Sequence, residues 1–153
     1  MSAIAIRDVT ERDAPQVAEV VRSGVATLRE TYRPRPGAAL PALPPRARLV
    51  AVRDGRVVGT VEHFREGDRV HLVGLFVDER SRRCGVARAL IAELLGRARA
   101  LGARRLSLYT IRESGNVAVF ERLGFQVVEE HDDLYMASDR HAGLHEAYME
   151  RGT

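Results

Sequence analysis

The sequence predicts one α/β domain in which an antiparallel strand meander feeds a β-α-β unit. Three observations carry that expectation. Apolar residues alternate between strand-like runs and helical spacing in the order β-α-β-β-β-α-β-α-β-β. Glycine-bearing turns separate these segments, with no internal repeat and no flexible linker. A length of 153 residues holds one core of ordinary size and leaves no room for a second.

Ala3 to Arg7 is short and extended-looking, and Thr10 and Asp13 supply N-cap chemistry for a helix from about Thr10 to about Glu30. Val17, Val20, Val21, Val25 and Leu28 give that helix its apolar stripe. Tyr32 to Pro45 holds five of the six prolines and reads as an irregular loop with one helical turn around Ala38–Leu43. Leu49 to Val52 is a strand, Arg53-Asp54-Gly55-Arg56 a hairpin turn, and Val57 to Phe64 the returning strand. After a turn at Arg65–Arg69, Val70 to Val77 is apolar almost throughout, as expected of a strand covered on both faces. Gly85-Val86-Ala87 opens a helix that runs to about Leu101, where Gly102 stops it. Arg105 to Thr110 is a strand, Asn116 to Leu123 a short helix ended by Gly124, and Phe125 to Glu130 a further strand. Leu134–Ala137 and Leu144–Arg151 read as a closing hairpin around Asp139–Gly143, with a terminal helix from Leu144 as the alternative.

Hydrophobic residues make up 45% and charged residues 29%, which excludes a disordered or fibrous chain. No apolar run is long enough to span a bilayer, and the first residues lack the shape of a signal peptide. The lone cysteine, Cys84, has no partner for an internal disulfide, so a cytoplasmic protein is expected. All 24 cations are arginines, side chains suited to planar anions, yet 21 acidic residues are interleaved with them. With no basic run and no aromatic stacking partners, nucleic acid is not an expected partner, nor is a membrane.

The stretch from Leu75 to Leu90 carries the chemistry. A buried strand ends, a basic turn follows, and a helix begins at a Gly-x-Ala step. Backbone N–H groups of Arg83 to Ala87 would point out of a helix N-terminus, where the macrodipole also favours negative charge. Gly85 and Ala87 let a phosphate approach the backbone, and Arg82, Arg83 and Arg88 can add charge-assisted bonds. The ligand read from these features is a pyrophosphate or similar anion. A nucleotide-hydrolysing P-loop would need Gly-Lys-Ser/Thr, and a dinucleotide fingerprint a second spaced glycine; neither is present.

Arg82-x-x-Gly85-x-Ala87, five residues beyond Val77, resembles the coenzyme A signature of the GNAT superfamily of N-acetyltransferases. Phe120-Glu121-Arg122-Leu123-Gly124-Phe125 resembles the Tyr-Glu-x-Leu-Gly-Phe ending of that family's last helix. The two lie about 35 residues apart, in matching elements. The resemblance covers essentially the whole chain as a single domain. It implies a mixed, mostly antiparallel sheet of about seven strands flanked by helices. It also implies acetyl-CoA as cosubstrate, a small-molecule or peptide amine as acceptor, and pairing into homodimers. By the same resemblance the strand Val70–Val77 splays from Arg105–Thr110 and the pantetheine arm lies in the gap against Leu75, Phe76 and Val77. The pyrophosphate then sits on the turn formed by Arg82, Arg83, Cys84, Gly85, Val86, Ala87 and Arg88. An N–H near Phe76 would stabilise the developing oxyanion, and Asn116 and Phe120 complete the coenzyme site.

A lysine-like amine has a pKa of about 10.4, so reaching its free base at neutral pH costs roughly 4–5 kcal/mol. His71 stands where some histone-type members carry a catalytic carboxylate and is a candidate general base. Glu62 is the other. Phe120 occupies the position where many members carry a tyrosine that protonates the leaving thiolate, which makes Tyr109 or Tyr135 the candidate acid. Asn116 lies closer to Phe120 than the family's asparagine usually lies to its aromatic. A thiol leaves tolerably without an acid. The alternative function is a non-catalytic acyl-CoA-binding module, and a third is an anion-binding interaction domain. The five histidines show no metal-ligand spacing, so no metal is expected.

Overall fold

The computed structural model describes residues 2–153. Among the described residues, nine strands and three α-helices follow one another as β1 (Ala5–Asp8), α1 (Ala14–Arg29), β2 (Arg33–Pro34), β3 (Ala47–Arg53), β4 (Arg56–Glu66), β5 (Arg69–Val77), α2 (Val86–Ala100), β6 (Arg105–Ile111), α3 (Asn116–Arg122), β7 (Gln126–Asp132), β8 (Met136–Ala137) and β9 (His145–Gly152). Seven strands form the central sheet in the order β1-β3-β4-β5-β6-β9-β7, antiparallel except for β5 and β6. The expected mixed, mostly antiparallel seven-stranded sheet is what the chain forms.

The sheet is covered on both faces, unequally. On one face α2 buries Leu90, Ile91, Leu94 and Ala98 against Leu49, Val61, Leu72, Leu106 and Met149, with Val117 and Leu123 of the α3 region joining the same cluster. On the other face α1 buries Val17 and Val20 against Val50 and Val57. Each buried aliphatic side chain contributes about 1.5–3 kcal/mol by leaving water. The start of α1 is set by Asp13, whose carboxylate accepts bonds from the Thr10 amide (2.7 Å), the Thr10 hydroxyl (3.1 Å) and Arg7 (2.7 Å). Residues Glu11–Asp13 form a 3-10 turn, so the α-helix proper begins at Ala14, later than Thr10.

Two expectations are corrected. Leu134–Ala137 and Leu144–Arg151 do not pair with each other: β9 inserts between β6 and β7, while the two-residue β8 pairs with β2. His145–Gly152 is strand and not helix: it pairs with β6 on one side and β7 on the other and buries Ala147, Tyr148 and Met149. The expected helical turn at Ala38–Leu43 is absent, and the segment stays irregular around Pro41, Pro44 and Pro45.

Candidate active site

The site begins with a defect in β5. Thr60 pairs with Phe76 and Glu62 with Val73, so Gly74 and Leu75 together face the single residue Val61. This is a β-bulge, and Gly74 sits at its bend with φ +62°, a left-handed conformation that glycine adopts without strain. Toward β6 the parallel register covers only Arg69–His71 against Arg105–Ser107. Beyond that point the strands separate, and the backbone edge of Val73–Val77 has no strand partner on that side. The gap is a cleft of about 800 Å³ that passes through the sheet, lined from both faces.

One mouth is formed by the turn into α2. Arg83 has φ +62° and Gly85 φ +81°, so the chain curls just before the helix starts at Val86. No side chain caps this helix, and the amides of Arg83, Cys84 and Gly85 find no acceptor among the described residues. Unmet amides at a helix N-terminus favour an anion. Arg82, Arg83, Arg88 and Arg122 all line this mouth without a carboxylate partner among the described residues, whereas neighbouring Arg80 is paired with Asp78 at 3.9 Å. Below the turn, Gly59 lets β4 touch the helix start: a Cβ there would meet Val86 at 2.5 Å.

The structure brings most of the sequence-derived residues together. Leu75, Phe76, Val77, Arg82, Arg83, Gly85, Val86, Ala87, Arg88, Tyr109, Asn116 and Phe120 line the one cleft. Cys84 does not; its side chain is exposed and turns back, its thiol 3.5 Å from the Arg82 carbonyl. Glu62 and His71 also lie outside the lining; Glu62 stands in the middle of β4, paired with Val73 beside the bulge and held by Arg46 (2.9 Å) and Arg48 (3.2 Å). Asn116 is the first residue of α3, and its amide is met by the Ser114 hydroxyl at 3.2 Å. Tyr135 is exposed in the loop before β8. Gly24, Thr27, Leu28 and Tyr32 from the α1 end also line the cleft, as does Gly74, which escaped the sequence reading. A lone glycine inside the apolar run of β5 was the available signal for the bulge.

His71 lies on the face of the sheet opposite α2 and is 7% exposed. Its Nδ1 is 2.8 Å from the fully buried Ser107 hydroxyl, and Nε2 has no partner among the described residues. The ring packs between Phe64 (5.2 Å between centroids) and Tyr109 (5.3 Å), and Tyr109 continues the row to Tyr148. Burial lowers the His71 pKa; Glu66 opposes that shift and Arg69 adds to it. The imidazole is thus neutral near neutral pH and able to accept a proton. Tyr148 is the reverse case: burial and its bond to Glu150 raise its pKa, so it remains a phenol.

The sheet thus forks at a bulge onto a bare helix N-terminus and four guanidinium groups that have no carboxylate partner among the described residues. The sequence matches the model of the Acetyltransferase (GNAT) family over residues 16–125, and the chain belongs to that family. No curated protein matches the sequence. Among solved structures the chain is similar to a GCN5-related N-acetyltransferase from Kribbella flavida, with 25% identity, a TM-score of 0.71, and 99% of this chain and 98% of that chain covered. Two others share the fold at lower identity. One is a ribosomal-protein-alanine N-acetyltransferase from Brucella melitensis (21% identity, TM-score 0.70, coverage 97% and 99%). The other is a candidate streptothricin acetyltransferase from Bacillus anthracis in complex with acetyl coenzyme A (13% identity, TM-score 0.73, coverage 99% and 100%).

Proposed function

We propose that the protein transfers the acetyl group of acetyl-CoA to a primary amine by direct attack within the forked cleft. One observation supports this above the rest: the gap between β5 and β6 opens at one end onto unmet amides and unpaired arginines, and at the other onto Tyr109, whose ring packs on the buried His71. The diphosphate of the donor would lie on the amides from Arg83 to Ala87 with Arg82, Arg83 and Arg88 around it. Its pantetheine arm would pair, like an added strand, with the free edge of Leu75–Val77, and Asn116 and Phe120 would wall its far side. The amine nitrogen attacks the thioester carbon, a C–N bond forms, and the C–S bond breaks. An amide N–H near Phe76 would stabilise the oxygen on which charge develops. His71 accepts the proton lost by the nitrogen, directly or through water. Coenzyme A leaves as thiolate and takes a proton from solvent or from Tyr109.

Titration calorimetry with acetyl-CoA, followed by thiol release against a panel of amines, tests this reading. Arg82→Ala combined with Gly85→Glu is expected to weaken acetyl-CoA binding roughly 10–100-fold, since it removes a charge-assisted bond and places a carboxylate among the anion-binding amides. Unchanged binding would remove the assigned site. Phe120 lines the cleft without a hydroxyl and favours a second reading, a coenzyme-binding module without turnover. Binding with no thiol release from any amine would select that one.

A further inference from the structure

The end of the cleft on the α1 face, where an acceptor would meet the donor, has a wall of defined chemistry. It is built by Thr27, Leu28, Tyr32, Phe76, Tyr109 and Thr110, and none of these carries a formal charge. Every charged residue lining the cleft is an arginine of the opposite mouth. No carboxylate lines the cleft, and most of those around this face are engaged, whereas Glu30 just after α1 and Glu129 beside Tyr148 pair with no cation among the described residues. Glu66 pairs with Arg69 at 2.5 Å, Glu150 with Arg105 at 3.2 Å, Glu130 with Arg112, and Glu146 with His131 at 3.1 Å. Asp133, which with Glu146 lies nearest Tyr32, is buried and spends Oδ1 on the amides of Tyr135 (2.9 Å) and Met136 (2.7 Å). Both lie outside the cleft lining, and Arg29 stands over the Tyr32 ring at 5.9 Å.

We infer that the acceptor is a primary amine carried on an uncharged, apolar or aromatic body, with Tyr32 and Tyr109 as the side chains that select it. The inference rests on the transferase reading given above. A single amine need shed only one proton to enter such a wall, and His71, whose ring packs on Tyr109, is placed to take it. An acceptor with several ammonium groups would bring the remaining ones against hydroxyls and rings with no carboxylate in the cleft lining, leaving charge desolvated and unpaired. An aromatic body gains instead, because Tyr109 is half exposed and can offer a ring edge or face.

Initial rates of thiol release with phenethylamine and with spermidine, alongside acetyl-CoA affinity by calorimetry, test it. The unaltered protein is expected to use phenethylamine with kcat/KM roughly tenfold or more above that for spermidine. Tyr32→Ala is expected to raise KM for phenethylamine about 3–10-fold while leaving the acetyl-CoA Kd in place. Preference for spermidine overturns the inference and leaves the transferase reading intact. So does a Tyr32→Ala variant whose acetyl-CoA affinity falls in step with its KM, because Tyr32 would then belong to the donor site. Acetyl-CoA binding without thiol release from phenethylamine overturns the inference, and the same silence across the whole amine panel removes the transferase reading as well. The phenethylamine-to-spermidine ratio of the unaltered protein needs no variant to fold.

Discussion

His71 and Asp13 are both held deprotonated, His71 by burial that keeps an imidazole uncharged and Asp13 by hydrogen bonds that keep a carboxylate charged. Burial holds His71 neutral, so its loss of function follows acidification: kcat/KM is expected to fall as pH drops through an apparent pKa below the ordinary 6.5. His71→Gln should remove that limb of the profile and lower kcat roughly 100-fold or more. An unchanged limb would assign the proton to another group. Asp13 is held far below the ordinary carboxylate range by its bonds from Arg7 and Thr10. A depressed carboxyl pKa stabilises the fold above the unfolded value, near 4, and that contribution is lost as pH falls further. Asp13→Ala also removes the bond acceptor at the start of α1 and is expected to cost about 1–2 kcal/mol in denaturant unfolding at neutral pH, less below pH 4. The Thr10–Asp13 pairing was legible in the sequence because capping is local. The burial of His71 was not, since it depends on Phe64, Ser107 and Tyr109 from two other strands.

Among the elements, the helices contain two glycines of opposite consequence. Gly96 on α2 is exposed with open space at its Cβ position, so Gly96→Ala should stabilise by about 0.5–1 kcal/mol through helix propensity alone. Gly24 on α1 is buried, and a Cβ there would sit 2.1 Å from the Phe76 ring. Gly24→Ala gains the same propensity but must push aside an aromatic side chain in the cleft wall, an overpacking cost of about 1–3 kcal/mol. The net change is therefore expected to be destabilising, with weaker acetyl-CoA binding; thermal melts of the two variants side by side decide it. Element order and most boundaries were readable from periodicity and turn glycines. The position of β9 was not, because strand alternation reports which face is buried and not which neighbours a strand has. Leu134–Ala137 was close in sequence, yet β6 and β7 offered the longer ladders.

For the molecule as a whole, the coenzyme turn was legible because Arg82, Gly85 and Ala87 are close in sequence, whereas the meeting of Thr27 and Tyr32 with Tyr109 in one wall was not, because they come together only on folding. A donor lying in the fork would touch α2, α3, β5 and β6 at once. Acetyl-CoA at about a hundredfold excess over its Kd should then add about 2.7 kcal/mol to stability and raise Tm by roughly 5–10 °C. A Tm that ignores acetyl-CoA would mean that the cleft does not bind it. None of the described helices is long and apolar enough to cross a membrane.

The short parallel ladder between β5 and β6 has one more consequence. Three register pairs join these strands, against seven between β6 and β9. The weakest seam of the sheet therefore coincides with its working gap, and breathing motions should concentrate there in the empty protein. Amide deuteration along Val73–Val77 should be quick without cosubstrate and slow with it, as a guest molecule supplies the rungs that the protein leaves out.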